Sequence, residues 1–192
     1  MDILRMDIAF DRERDEFLYR PLCKRKGFDD FALYDRIRPY LTAKDREQYR
    51  LRWTPIPCSP CRGGKKGIVL GDVVDTSFGD GAAFNDKAVA ILTPHVKWCC
   101  EFLPLDVKGA DSPYFILTEF CESTHLVDTA RTVVNEFYSR FELFFVCDEQ
   151  EIPSFFMLDT TMFVKEDLWD EIIKSEITGL QATKVKATFN VS

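Results

Sequence analysis

The chain has 192 residues, 46% of them hydrophobic, with 17 Phe and a net charge of −7. A chain of that length and apolar content is expected to fold, burying about 70% of its unfolded surface, which excludes a disordered polymer. No run reaches the ~18 apolar residues of a membrane helix and no charged-then-apolar leader opens the chain, so a cytoplasmic protein is expected.

Charge is uneven along the sequence. Residues 1–19 hold 3 basic and 6 acidic residues, 20–66 hold 13 and 5, and 67–192 hold 9 and 21. The basic middle and acidic remainder suggest a basic N-terminal subdomain, 1–66, ahead of an acidic body, 67–192. An acidic field repels nucleic acid and attracts basic proteins.

Residues 1–10 alternate loosely, with Ile3, Met6, Ile8 and Phe10 as inward positions of a first strand. Residues 12–27 are mixed, with Phe17, Leu18, Tyr19 and Leu22 as core contacts. Their Lys24-Arg25-Lys26 run reads as a solvated loop, because a phosphate-binding stripe needs more basic positions on one face. Residues 28–41 begin with a helical pattern (Phe31, Leu33, Tyr34, Ile37) that stops at Pro39, and Thr42 marks another helix start. Residues 50–53 read as a strand entering Thr54-Pro55-Ile56-Pro57. The Pro-rich stretch from there to Gly64 is expected to be irregular and to end the front subdomain.

Residues 68–74 read as a strand and 75–83 as a polar, glycine-rich turn, with Asn85 capping a helix over 86–92. Asp72, Asp75, Asp80 and Asp86 cluster there without matching a calcium-loop pattern. Residues 96–107 and 113–120 form a hairpin packed through Phe102, Leu103, Leu105, Phe115 and Leu117. Residues 126–145 are ambiguous. Val127 to Tyr138 give a helix-like stripe, and Phe141, Leu143 and Phe145 then alternate as in a strand. An acidic turn at 148–151 precedes a strand over 152–158.

Residues 161–185 read as strand, acidic amphipathic helix, glycine stop and strand. Leu168, Trp169, Ile172 and Ile173 make one apolar stripe, while Glu166 with Asp170 and Asp167 with Glu171 lie i to i+4 on other faces. Gly179 stands where a left-handed C-terminal cap is expected. Residues 187–192 read as a loose tail. The interleaving of strands, hairpins and helices predicts an α+β fold: a single domain with a mixed, largely antiparallel sheet and a few packed helices.

Seven cysteines without a secretion signal argue for reduced thiols. Cys58 and Cys61 form a CxxC, which is half of a zinc knuckle or a redox pair. Completing a zinc site would call on Cys23, Cys99, Cys100, Cys121 or His95. None makes a second CxxC, so zinc stays an alternative and no cofactor is the favoured reading. Catalytic signatures are missing: there is no G-x-S-x-G, H-E-x-x-H, Walker loop or Cys-His pair. His95 and His125 read as structural, no catalytic residue is assigned, and the chain is read as a binder rather than an enzyme.

Three segments, GDVVDTSFGDGAAFNDKAVAIL (71–92), EFLPLDVKGADSPYFIL (101–117) and IPSFFMLDTTMFVKEDLWDEIIKSEITGLQATKV (152–185), carry a further signal. In order and spacing they resemble the bacterial immunity protein 11 family, the antitoxins of polymorphic and type VI-delivered toxin systems. The resemblance implies an immunity protein that binds a cognate secreted toxin and occludes its active site. Toxins in such systems are often nucleases with a basic groove. On that reading the toxin-binding residues are Asp148, Glu149 and Glu151 with Glu166, Asp167, Asp170 and Glu171, anchored by exposed aromatics. Neither nucleic acid nor a membrane is an expected partner. Two alternatives stay open: a zinc-stabilised or regulatory interaction module unrelated to toxins, and a small enzyme with an unrecognised site.

Overall fold

The computed structural model describes residues 1–11, 16–17, 21–24, 50–51, 53–61, 70–76, 81–119, 123–135, 140–158 and 161–189. The chain divides into two compact units. One comprises Met1–Asp7, Glu122–Glu176 and Gln181–Ser192, and the other Ile8–Cys121 with Ile177–Leu180. Among the described residues, no helix is long and apolar enough to cross a membrane. The expectations for 28–41 and for the helix start at Thr42 lie outside the described residues.

The first unit is built on β1 (Ile3–Ile8), β10 (Val133–Asn135), β11 (Arg140–Phe144), β12 (Phe155–Leu158), β13 (Thr161–Lys165) and β14 (Leu180–Thr188). They form one mixed sheet in the order β10-β11-β14-β1-β13-β12. β1 runs antiparallel to β13, with Arg5 opposite Phe163, and β11 runs parallel to β14. Phenylalanines fill the core. Phe156 and Phe163 are register partners with rings stacked at 5.3 Å, Phe145 meets Phe156 edge to face at 5.7 Å, and Phe189 stacks on Phe145 at 5.2 Å. Such pairs contribute about 1 kcal/mol each beyond the area they bury. Phe189 therefore packs against the sheet, where a loose tail was expected.

The helix of this unit, α2 (Glu166–Lys174), follows β13 directly. Glu166 and Asp167 in its first turn and Lys174 in its last suit the helix dipole. Leu168 and Ile172, one turn apart, are buried, whereas Ile173 is 55% exposed. Ile173 thus leaves the expected apolar stripe, whose buried members are Leu168 and Ile172. Residues 127–135 do not form the helix their stripe suggested, and the rest of that stripe, to Tyr138, lies outside the described residues. A 3-10 turn (Ser123–Leu126), a bridge from Val127 to Phe145 and the short β10 take its place. Pairing of β10 with β11 satisfies these backbone groups, which overrides the local period.

The second unit holds the hairpin of β2 (Phe10–Asp11) and β3 (Glu16–Phe17) and a second mixed sheet. That sheet comprises β4 (Leu22–Lys24), β5 (Ile56–Pro60), β6 (Val73–Asp75), β7 (Ala82–Asn85), β8 (Cys100–Val107) and β9 (Tyr114–Glu119), in the order β4-β5-β8-β9-β7-β6. Its two edges meet. Leu22 of β4 bridges Thr76, the residue after β6, so the sheet curls into a small barrel. Every strand sends side chains into the shared core: Leu22, Ile56 and Cys58, Val74, Ala83, Leu103 and Leu105, Tyr114 and Ile116. The helix α1 (Asp86–Val96) covers the outer face of β7 and β8 with Ala88, Leu92 and Val96. Asn85 is its N-cap as expected, its Oδ1 accepting from Ala88 N at 3.0 Å. The β8–β9 hairpin also forms as expected, turning at Gly109 with φ +80°.

Two expectations fail in this unit. The Pro-rich stretch is not irregular: Ile56–Pro60 is a strand between β4 and β8, with Ile56 and Cys58 fully buried. Its prolines lack donors, but burial of the two alternate residues compensates. Arg50 and Leu51 are helical where a strand was expected, while Trp53 Nε1 donates to Pro104 O at 2.8 Å.

The α+β reading thus holds coarsely, in a sheet-dominated molecule. Two mixed sheets stand where one was expected. Strands from either side of residue 66 share the second sheet, and β1, from the first residues of the chain, lies in the sheet of the first unit.

Candidate functional site

The topology sorts charge. The first unit collects 7 basic and 15 acidic residues, net −8, and the second 18 and 17, net +1. The first unit's cations are largely engaged within it. Arg5 pairs with Asp7 at 2.6 Å and lies 4.3 Å over the Phe141 ring. Lys184 pairs with Asp2, Lys186 with Glu142 at 3.7 Å, and Arg131 lies 4.3 Å over Phe144. What remains outward is an excess of carboxylates.

The seven expected binding residues all belong to this unit and all are exposed. Glu149 and Glu151 lie on a 3-10 turn (Glu149–Glu151) that Asp148 precedes. Glu151 folds back so that Oε2 accepts from Asp148 N at 3.1 Å, and Glu149 Oε1 lies 3.0 Å from the Met1 amino group. Glu166, Asp167, Asp170 and Glu171 lie on α2. The structure brings the two groups together through Lys165, the N-cap of α2, whose Nζ donates to Glu149 O at 3.3 Å. Cys147 sits beside the acidic turn. Burial pushes its thiol up, and the negative charges of Glu151 and Asp148 push it further.

Apolar surface lies within this charge. On α2, Trp169 is partly exposed and Ile173 is open one turn later, flanked by Glu166 and Asp170. Val146, just before the acidic turn, is 49% exposed. An exposed isoleucine beside an aromatic and ringed by carboxylates has the makeup of an interface centre with a polar rim. Sequence reasoning missed Ile173 by placing it in the core stripe. It also missed that the basic residues of 8–66 and the acidic residues of 67–121 offset each other in one unit, where β4 and β5 share a sheet with β6 to β9, while the acidic excess stays within 122–176.

The CxxC takes a different form from the expected alternatives. Cys61 is joined to Cys23 by a disulfide, so these two are not the reduced thiols expected. Cys58 points the other way, into the barrel, and its Sγ donates to Ile56 O at 3.3 Å. Alternation along β5 places the motif's two sulfurs on different faces, so Cys58 and Cys61 do not converge on one metal position. Among the described residues, no group of three or more His, Cys, Asp or Glu is arranged to hold a metal ion.

A second polar constellation in the second unit was legible only as an aspartate cluster. Asp72 Oδ2 accepts from Thr178 N and Thr178 Oγ1, both at 2.8 Å, and Oδ1 accepts from Asn85 Nδ2 at 2.7 Å. Burial alone would raise the Asp72 pKa. The Thr178 and Asn85 bonds and the Lys87 charge outweigh it, and the carboxyl is held below its usual range. Tyr114 Oη donates to Gly71 O at 2.6 Å, and burial with the charges of Asp72, Asp86 and Asp111 pushes its hydroxyl up to about 12. Every group here is engaged, and the arrangement reads as a clasp. No protein-family model matches the chain, and no curated protein matches it.

Proposed function

We propose that this chain is an immunity-type binding protein, which neutralises a cognate toxin by covering the toxin's active site with the acidic face of the first unit. The observation that carries this reading is the sorting of charge, with net −8 in one unit against +1 in the other. An acidic face speeds encounter with a basic groove such as a nuclease needs, and repels the nucleic acid that competes for it. Trp169 and Ile173 supply the apolar centre such a contact requires. The resemblance of residues 71–185 to immunity protein 11 sequences points to the same class. The chain supplies a shape and a charge, and the chemistry belongs to the partner.

The test is a competition between sibling strains. Cells lacking the chain are grown beside siblings that deliver the toxin encoded next to it. The reading expects their loss, and rescue by the wild-type chain in trans. Equal growth with and without the chain overturns it.

A further inference from the structure

We propose that the Cys23–Cys61 disulfide is a redox latch that holds edge strand β4 on the barrel of the second unit. Among the described residues, the hydrogen bonding of β4 is sparse. It has three residues, and Leu22 faces Pro60, which has no N–H to give to the ladder. Cys61 N donates to Pro21 O at 2.9 Å beyond the strand. On the other side of β4, one bridge among the described residues, Leu22 to Thr76, closes the sheet. Yet Leu22 is 0% exposed, and register sets residue 24 of β4 beside the equally buried Cys58 of β5. A strand that covers the core with so few backbone bonds depends on its covalent tie to β5.

Cys23 and Cys61 are both partly exposed, so a dithiol can reach their bond. In the step proposed, a dithiol of the thioredoxin class gives up two electrons and two protons. Its own disulfide forms, the Cys23–Cys61 bond breaks, and both cysteines leave as thiols. β4 then detaches, opening the barrel between β4 and β6 and uncovering Cys58. The CxxC thereby gains a role in which its two cysteines differ: Cys61 fastens the latch, and Cys58 lies beneath it.

The experiment uses the full chain purified without reductant, with dithiothreitol as the dithiol. Samples are pulsed with N-ethylmaleimide, and the peptide carrying Cys58 is quantified by mass spectrometry. Cys99 and Cys100, buried in the same unit, serve as references. The latch predicts that Cys58 is labelled as slowly as the references before reduction, and at least about tenfold faster afterwards, with the references unchanged. Cys23→Ser should label at Cys58 at the faster rate without dithiothreitol. Three results overturn the proposal: Cys58 still protected after reduction, Cys58 rising together with Cys99 and Cys100, or an intact mass showing Cys23 and Cys61 already as thiols.

Discussion

Asp72 and Thr178, 106 residues apart, hold each other by three hydrogen bonds: the threonine N–H and hydroxyl donate to Oδ2, and the hydroxyl accepts from Asp72 N at 2.9 Å. Val73 N donates to Thr178 O at 3.0 Å, which extends the contact along the backbone. The segment Ile177–Leu180 is thereby part of the second unit although α2 and most of β14 belong to the first.

Asp72→Asn should weaken this clasp, because an amide has one accepting oxygen where the carboxylate accepts on two. The expected loss at pH 7 is about 1–3 kcal/mol by urea unfolding. A carboxyl held below its usual range stabilises the fold above its unfolded pKa and loses that effect as pH falls through its folded value. The gap between wild type and variant should therefore narrow below about pH 4.

Gly179 is the backbone counterpart of the same clasp. It lies at φ +91°, and a Cβ there would sit 1.8 Å from Val73 O, a backbone atom without freedom to move. Gly179→Ala should cost more than about 3 kcal/mol or prevent folding, whereas Gly109→Ala should cost only about 1 kcal/mol. Gly109 shares the left-handed φ, at +80°, but has nothing within 4 Å of the added carbon. Thermal unfolding of the two variants side by side separates crowding from backbone strain.

Asp75 lies close by with the opposite sign. Burial pushes its carboxyl up to about 6, against the pull of the Thr76 N–H. A carboxyl with a raised folded pKa favours the fold while protonated. That contribution is full below about pH 4 and is lost as pH rises through about 6. Asp75→Asn should match wild type at pH 4 and exceed it at pH 8. The gain is about 1 kcal/mol, because the group is only partly buried. Urea titrations at the two pH values measure it.

Some of this was legible in the sequence because the determinants are local. The β8–β9 hairpin follows from two apolar runs around a turn with Gly109, and α1 from Asn85 three residues before the N–H it caps. Leu168 and Ile172 reveal α2 by their spacing. What the local pattern misread was decided at a distance. The prolines of β5 remove donors from its ladder, and the strand forms because its alternate residues Ile56 and Cys58 are buried in the core of that sheet. Gly179 looked like a helix cap, but α2 ends at Lys174 and Glu176 takes the left-handed turn at φ 53°. The glycine answers to Val73, which no spacing within 161–185 records. The acidic excess of 122–176 was visible in the sequence, but the near-neutrality of the other unit was not, because it follows from β4 and β5 sharing a sheet with β6 to β9.

Ile173 separates binding from folding. Its side chain is open to solvent, so Ile173→Asp should change stability by less than about 0.5 kcal/mol. The same variant should weaken toxin binding at least about tenfold, mainly through faster dissociation. Leu168→Ala, one helix face away and 2% exposed, should instead cost about 2–4 kcal/mol of stability. Chemical unfolding together with surface binding kinetics distinguishes the two effects.

The most direct measurement is a calorimetric titration of the full chain with the cognate toxin domain that the proposed function requires, comparing wild type with Asp167→Lys, Asp170→Lys and Glu171→Lys combined. All three side chains are exposed on α2 and make up part of the first unit's charge. The account predicts wild-type folding, an affinity lower by about a hundredfold or more, and a wild-type affinity that falls with added salt. An unchanged affinity in the triple variant, or no binding by the wild type, would contradict it.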